Sequence, residues 1–324
     1  TIASLSETEA WTSFRFRKAD LSRLLTALGM PDEWRCSNGS RFRGETGLLL
    51  LLYRLRYPNR WIDLEQHFNR ESSQLSRLFA LVVDWVWDNH RHRMMDNLQF
   101  WTSSLRTFAE KITLKGQAFG RCGVACEGAD LCGFLDGTLR KNSRPGGEPG
   151  EDLQREIFDG HHRSHGLIWQ SLVFPNGMMG DLYGPVAGRR HDAYVLSLSE
   201  LNPRLQQVMQ GWPRPLKVYG DAAYPILSHV DRGFRGANLS QAQRAYNRAL
   251  SRVRISVEWQ FGKVVQMFPF VDFSADLNLL LQPIAKYYLV AALLTNAHTT
   301  CYGSITSKYF NCFPPTLEEY FGVS

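Results

Sequence analysis

Two aspartates each follow a short apolar run, in the pattern of a buried strand that ends on an acid. Asp136 comes after residues 131–135 and precedes Gly137, while Asp221 comes after residues 216–220. Apolar runs of this length that stop at turn residues are typical of central strands. The pattern therefore predicts two strands that deliver carboxylates to the end of a sheet.

A third acid, Glu258, lies within residues 251–262, which have the apolar spacing of an amphipathic helix. Two carboxylates about 4 Å apart repel by roughly 4 kcal/mol at an effective dielectric of ~20, so converging acids need a proton or a cation. Mg²⁺ prefers carboxylate oxygens, and two such ions can clamp the attacking and leaving oxygens of a phosphodiester. We therefore interpret Asp136, Asp221 and Glu258 as acids that share divalent metal and act on DNA.

Each acid also has a structural interpretation that the pattern leaves open. Asp136 fits a turn residue, and Asp221 fits a cap for the segment after its strand. Glu258 fits a surface pair with Arg254, four residues earlier on the helix. The order strand, strand, helix favours the shared metal site.

Other periodic segments predict the elements that position these acids. We expect strands at 131–135, 167–174, 178–183 and 216–220, with the first three in a meander, and helices at 188–210, 240–268 and 284–298. Asp192 is predicted to cap the first of these helices, and a direct role near the metal is left open. A long Gly- and Pro-rich loop is expected at 139–156.

The N-terminal third has apolar side chains at helical spacing and predicts an all-helical domain. Within it, residues 61–90 form a helix-turn-helix-like pair, in which Gln74 and Arg77 suit DNA bases and phosphates. Two ordinary bundle helices would give the same pattern. We expect domains at 1–128 (N-terminal) and 129–300 (nuclease), followed by a tail, 301–324, that packs back on the body.

Two groups of basic side chains are candidate contacts with DNA phosphates. They are Arg244, Arg248 and Arg252, spaced by four on a predicted helix, and Arg140, Lys141 and Arg144 in the predicted loop. A solvated helix face is the alternative for the arginines. The net charge of +6 permits a polyanionic partner without requiring one.

Composition and cysteine spacing exclude several classes of protein. The 324 residues are 44% hydrophobic and 21% charged, as in ordinary globular proteins. The longest apolar run, residues 48–53, is too short to span a bilayer, so no membrane role is expected. The six cysteines are scattered without a CxxC pair, which favours reduced thiols over a disulfide framework.

Five motifs occur in a specific order along the chain. They are Phe134-Leu-Asp136-Gly-Thr138, Gly160-His161-x-Arg163-x-His165, Gly184-Pro185-x-x-Gly188-Arg-x-His191-Asp192, Gly220-Asp221-x-Ala223-Tyr224-Pro225 and Asn247-x-x-Leu250-Ser-Arg-x-Arg254-x-x-Val257-Glu258-x-x-Phe261-Gly262. Together they resemble the motifs of PIF/Harbinger-type DDE transposases and their domesticated nuclease relatives. The resemblance covers about residues 129–298.

The resemblance implies an α/β fold with an RNase H-like catalytic core, a mixed five-stranded sheet flanked by helices. It implies that Asp136, Asp221 and Glu258 are the catalytic and metal-binding acids, with two Mg²⁺ or Mn²⁺ ions as cofactors. Such an enzyme cuts double-stranded DNA at transposon terminal inverted repeats and joins the 3′-OH to target DNA in the nucleus. A Myb-like DNA-binding partner protein and a homodimer are expected with it.

Two other functions remain open from the sequence. A domesticated relative would keep the fold and act in the nucleus as a nuclease or as a chromatin or DNA-binding adaptor, without transposition. A plain DNA-binding module would keep the three acids for structural reasons. Divalent-metal binding and metal-dependent nicking distinguish these functions from a transposase.

Overall fold

The computed structural model describes residues 1–117, 130–146, 148–274 and 277–323. They divide into two compact units. The first contains Thr1–His92, Lys263–Tyr302 and Pro315–Ser324, and the second contains Arg93–Gly262 and Gly303–Pro314. The predicted domain boundary at 128/129 lies outside the described residues, as do Cys122 and Cys126.

Helices account for most of the secondary structure, and the strands are concentrated in the second unit. The helices are α1 (Glu7–Phe14), α2 (Lys18–Ala27), α3 (Gly44–Arg56), α4 (Trp61–Phe68), α5 (Ser72–His90), α6 (His92–Met95), α7 (Leu105–Gln117), α8 (Glu148–Ile157), α9 (Asp192–Ser199), α10 (Leu201–Val208), α11 (Gln241–Met267), α12 (Ile284–Tyr302), α13 (Ile305–Phe310) and α14 (Leu317–Phe321). The strands are β1 (Glu33–Arg35), β2 (Arg41–Arg43), β3 (Asp130–Lys141), β4 (Phe158–Asp159), β5 (Ser164–Val173), β6 (Met179–Ala187), β7 (Leu216–Tyr219) and β8 (Val230–Asp231). No helix in the described parts of the chain is long and apolar enough to cross a membrane.

The first unit is built around α5, whose buried stripe packs against α3, α4 and α12. The stripe repeats at the helical period, so one face of α5 is buried along most of its length. Its buried side chains are Leu75, Leu78, Phe79, Val82, Val83 and Val86.

The prediction of an all-helical N-terminal region is wrong between α2 and α3, where β1 and β2 form an antiparallel hairpin. Trp34 and Phe42 are buried at the centres of the two strands, between exposed neighbours. The turn contains Asn38 and Gly39, and Gly39 has a φ of 82°. An Asn-Gly pair between alternating residues is a hairpin signal, but three-residue strands are too short to show a clear period.

The helix-turn-helix-like segment consists of α4 and α5, separated by a turn in which Asn69 adopts a left-handed conformation. Arg77 is exposed on α5, and Gln74 is half-buried. The role of these two side chains in binding DNA stays a prediction.

Lys263, also in the first unit, is a half-buried cation whose removal should stabilise the protein. Its Nζ donates a hydrogen bond to Thr299 Oγ1 at 2.7 Å, and burial lowers its pKa to about 7. The unfolded chain, with an ordinary lysine pKa near 10.5, therefore binds more protons between about pH 7 and pH 10.5, and stability should rise with pH across that window. We expect Lys263→Met to remove this rise and to increase the free energy of unfolding by about 1–2 kcal/mol at pH 7.

Urea denaturation at pH 7 and pH 9.5 measures the effect. Thr299 keeps a partner in the variant, because its hydroxyl also donates to Thr295 O at 2.8 Å. Lys308→Met, at an exposed lysine, is the matched control and should leave the pH profile unchanged. A Lys263→Met profile that runs parallel to the wild type would contradict the prediction.

The second unit contains a six-stranded mixed sheet in the order β4–β5–β3–β7–β8, with β6 also paired to β5. Strands β3, β5 and β6 form an antiparallel meander, while β7 runs parallel to β3 and β8 parallel to β7. The predicted number of five strands is therefore wrong. Strands β4 and β8 have two residues each, which is too short to produce a readable period in the sequence.

Three further predictions need correction. The expected loop at 139–156 instead contains the end of β3 and most of α8. The last residue of α8, Ile157, is buried and packs this helix on the protein. The single helix expected at 188–210 is divided into α9 and α10 by Glu200, which has a φ of 49°. Asp192 is the first residue of α9, and His191 occupies the cap position.

Candidate active site

Asp136 and Asp221 lie side by side because β3 and β7 are parallel and in register. Phe134 is paired with Tyr219, and each aspartate stands two residues further along its own chain segment. Strand β7 ends at Tyr219, whereas β3 continues to Lys141. Asp136 is therefore inside its strand, not at the end as predicted. Because β7 ends at Tyr219, no residue of β7 is paired with Asp136, and the Asp136 side chain can face the site.

Arg254, on α11, links Asp136 to Glu258. Its Nη1 donates to Asp136 Oδ2 at 2.9 Å, and its Nη2 donates to Glu258 Oε1 at 3.5 Å. The surface pair that the sequence allowed between Arg254 and Glu258 is therefore present. The Glu258 side chain is 57% exposed, compared with 18% for Asp136, so Glu258 lies at the open edge of the site.

Burial raises the pKa of Asp136 to about 6. The Arg254 guanidinium and the Gly137 N–H, which donates to Asp136 Oδ1 at 3.1 Å, oppose this effect, while Asp221 and Asp192 add to it. Burial and neighbouring acids disfavour the ionised form of this carboxyl group, and a bound cation would favour it.

Asp192 is the fourth acid at this position. A Cβ atom added to Gly137 would lie 2.4 Å from Asp192 Oδ1, so glycine at 137 leaves room for this carboxylate beside Asp136. Burial and the charge of Asp221 raise the pKa of Asp192, and His191 partly opposes them. The segments that follow β6 and β7 thus bring two further acids, Asp192 and Asp221, close to Asp136.

Tyr224 closes the floor of the site. Its side chain is fully buried, and its hydroxyl has no hydrogen-bond partner among the described residues. Gly220 permits this placement, because a Cβ atom there would lie 2.5 Å from the Tyr224 ring. Burial and the charges of Asp192, Asp136 and Asp221 all raise the pKa of Tyr224, which keeps the hydroxyl protonated.

The donor chemistry of the site fits a hard divalent cation. Among the described residues, no three His, Cys, Asp or Glu side chains already have the spacing of a metal site. The oxygens are nevertheless of the right kind, since burial and the charges of Asp221 and Asp192 raise the pKa of Asp136, and burial and the charge of Asp221 raise the pKa of Asp192. Tyr224 adds a hydroxyl that has no hydrogen-bond partner among the described residues. A cation here would require the Arg254 guanidinium to yield its place at Asp136.

A cavity of about 480 Å³ opens beside Asp192. Its wall includes Gly137 and Asp192 together with His161, His162 and His191 from the turns before β5 and α9. His162 Nδ1 lies 3.0 Å from Asp159 Oδ2. The second and third sequence motifs therefore meet at the rim of the acid site.

The candidate DNA contacts occupy several elements. Arg244, Arg248 and Arg252 are exposed along α11, the helix that also carries Arg254 and Glu258. Arg140 and Lys141 belong to the extension of β3, not to a loop as predicted, and exposed Arg144 donates to Gln154 Oε1 at 2.7 Å.

Sequence reasoning missed the functional placement of Arg254 and Tyr224. The i, i+4 spacing indicates only a pair with Glu258, whereas the shorter contact of Arg254 is with Asp136, 118 residues earlier. Tyr224 follows Asp221 by three residues, but the spacing alone does not show which way its ring turns. The available signal is that both residues belong to the sequence motifs, with Arg254 four residues before Glu258 and Tyr224 three residues after Asp221.

Comparison with known proteins gives the family of the chain. A family model described as DDE superfamily endonuclease matches residues 135–296, half of the chain, and includes Asp136, Asp192, Asp221 and Glu258. No curated protein and no solved structure matches the chain. By the extent of the family match, the protein belongs to the DDE superfamily of endonucleases.

Proposed function

We propose that this protein is a metal-dependent DNA transposase of the PIF/Harbinger type. It cleaves phosphodiester bonds at transposon ends and joins the 3′-OH to target DNA. The observation that carries the proposal is the register that places Asp136 and Asp221 side by side at the end of β7, in a chain of the DDE endonuclease family.

The sheet supports an RNase H-like core for this activity. An antiparallel meander of three strands continues into two parallel strands, and the first acid lies on the strand where the two parts meet. That arrangement puts Asp136 next to the carboxyl end of a parallel neighbour, the edge at which open α/β sheets bind ligands.

Asp136, Asp221 and Glu258 are the residues that would hold the two Mg²⁺ or Mn²⁺ ions. Such ions supply an activated nucleophile and stabilise charge on the phosphate oxygens. Arg254 offsets part of the charge of Asp136 at 2.9 Å and contacts Glu258 at 3.5 Å, so it links two of these acids. Tyr224 is buried next to Asp136 and Asp221, and Asp192 lies beside Gly137, the residue that follows Asp136.

Exposed arginines on α11 support DNA as the substrate. Arg244 and Arg248 lie on the N-terminal half of the helix whose later residues include Arg254 and Glu258. Side chains that neutralise phosphates there would hold a duplex along α11 and direct one strand towards the acids. Arg140, Lys141 and Arg144 provide a second set of phosphate contacts on the β3 side.

The wider biology of the proposal follows from the resemblance to Harbinger-type enzymes. It includes action in the nucleus on terminal inverted repeats, a Myb-like DNA-binding partner and a homodimer that holds both transposon ends. The segment containing Gln74 and Arg77 is the proposed site of contact with bases.

The test is nicking of a duplex that carries terminal inverted repeats. We expect cleavage with Mg²⁺ or Mn²⁺, none with EDTA, and at least about a 1,000-fold loss in Asp221→Asn, because several kcal/mol of charge stabilisation disappear with a metal ligand. The Asp221 carboxylate makes one local hydrogen bond, from Ala223 N at 2.8 Å, so the variant should keep its fold. Metal-independent nicking, or wild-type rates in Asp221→Asn, would overturn the proposal. Binding of the duplex without any cleavage would favour a domesticated DNA-binding adaptor.

A further inference from the structure

We propose that Asp192 is a fourth carboxylate ligand of the divalent-cation site, and that the Tyr224 hydroxyl binds an oxygen held at that cation. This inference rests on the proposed metal-dependent function and extends it to two residues outside the Asp136, Asp221 and Glu258 set. It follows from the position of Asp192, from the absence of a hydrogen bond or ion pair to its carboxylate among the described residues, and from the buried, unpartnered hydroxyl of Tyr224.

The carboxylate of Asp192 is placed against the strand that carries Asp136. Only the absence of a side chain at Gly137 allows this, since a Cβ atom there would lie 2.4 Å from Asp192 Oδ1 and 3.4 Å from its Cγ. The Asp192 side chain therefore extends from the first residue of α9 towards the acid site.

Asp192 is offset only in part, by the neighbouring His191, and has no bonded counter-ion in the described parts of the chain. Within the described residues its carboxylate accepts no hydrogen bond and makes no ion pair, and it is not used to cap α9, whose cap residue is His191. Asp136, by contrast, has Arg254 at 2.9 Å. A half-buried carboxylate without a partner is costly unless a ligand neutralises it.

Tyr224 provides an independent sign of a ligand. Its hydroxyl is buried without a partner among the described residues, and it lies 3.9 Å from the position of a Cβ atom at Gly137, the same position that is 2.4 Å from Asp192 Oδ1. The hydroxyl interacts electrostatically with Asp192, Asp136 and Asp221 together. An oxygen carried by a cation among these three acids would satisfy the tyrosine and neutralise Asp192.

The cavity beside Asp192 gives such a cation access to solvent and substrate. About 480 Å³ of space adjoins Gly137, Thr138 and Asp192, which is room for a hydrated ion and a phosphate group. Glu258 is more exposed and contacts Arg254. Asp192 is thus better placed than Glu258 to bind a cation before DNA arrives.

Calorimetric titration of the full chain with Mn²⁺, without DNA, tests the proposal. We expect Asp192→Asn to weaken Mn²⁺ binding by at least about tenfold, since even groups that only support a metal ligand change affinity 10- to 100-fold. Asp152→Asn, at an exposed aspartate on α8, makes the same charge change and should stay within about twofold of wild type. Tyr224→Phe should weaken binding less than Asp192→Asn.

Thermal melting separates this role from a structural one. Without metal, Asp192→Asn should melt above the wild type because an uncompensated carboxylate is removed, and the rise in Tm caused by Mn²⁺ should shrink. Unchanged Mn²⁺ affinity in Asp192→Asn, or a metal-free variant that melts below the wild type, would overturn the inference while leaving the proposed function intact. Failure of the wild type to bind Mn²⁺ would instead count against the metal-dependent function itself.

Discussion

Glu258→Gln should reduce metal-dependent nicking by at least about 1,000-fold while leaving the melting temperature almost unchanged. The loss follows from the proposed role, because removing a carboxylate ligand removes several kcal/mol of charge stabilisation from the transition state. The fold should survive because the Glu258 side chain is 57% exposed and its contact with Arg254 is 3.5 Å long. Exposed pairs of this kind contribute a few tenths of a kcal/mol.

The matched control is Glu110→Gln. Glu110 forms an i, i+4 pair with Arg106 on α7, at 3.3 Å and with 61% of its side chain exposed. The control therefore makes the same chemical change in the same kind of pair, away from the acids. Nicking rates should stay at the wild-type level in Glu110→Gln. If Glu258→Gln also nicks normally, Glu258 is a surface partner of Arg254 and has no catalytic role.

The sequence predicted the strands that lead to Asp136 and Asp221 better than the contacts around these aspartates. Apolar runs located β3 and β7, and parallel pairing then placed Asp136 next to Asp221. The second contact of Arg254, with Asp136, was not predictable, because it joins residues that only the folded sheet and helix bring together. Local periodicity contains the i, i+4 pair with Glu258 and nothing about the strand below it.

Short or broken elements account for most errors in the fold. The break at Glu200 has a signal in the sequence, because Pro203 lies three residues later and proline is tolerated in the first turn of a helix but not in its interior. The hairpin of β1 and β2 is held by the burial of Trp34 and Phe42 in three-residue strands, and there tertiary packing determines the backbone conformation where the local pattern is ambiguous. The placement of Asp192 at the acids has the same origin, since its distance from Gly137 depends on how β3 and the start of α9 pack.

Arg204→Met should cost about 3–5 kcal/mol of unfolding free energy at pH 7, because it leaves the buried Asp181 without its counter-ion. The Asp181 side chain is 2% exposed on β6, and Arg204 Nη2 on α10 donates to both Asp181 Oδ1 and Met95 O. Burial raises the pKa of Asp181 to about 6 even with Arg204 opposing it.

The pH dependence of this deficit gives the prediction its sign. Without Arg204 the folded-state pKa of Asp181 should rise further above the unfolded value near 3.8, so the folded variant binds a proton that the unfolded chain lacks. The deficit relative to wild type should therefore be largest above pH 7 and should shrink as the pH falls towards 5. Urea denaturation followed by circular dichroism at both pH values measures it.

Two further variants isolate the pair. Arg204→Met combined with Asp181→Asn should recover part of the loss, because the uncompensated charge is gone. Arg214→Met removes an exposed partner of Asp130 at 3.4 Å, with 54% of the arginine side chain exposed, and should cost less than about 1 kcal/mol. If Arg204→Met costs no more than Arg214→Met, or if its deficit does not shrink at lower pH, then Asp181 is not held as a buried anion, and the packing of α10 on the sheet does not depend on this ion pair.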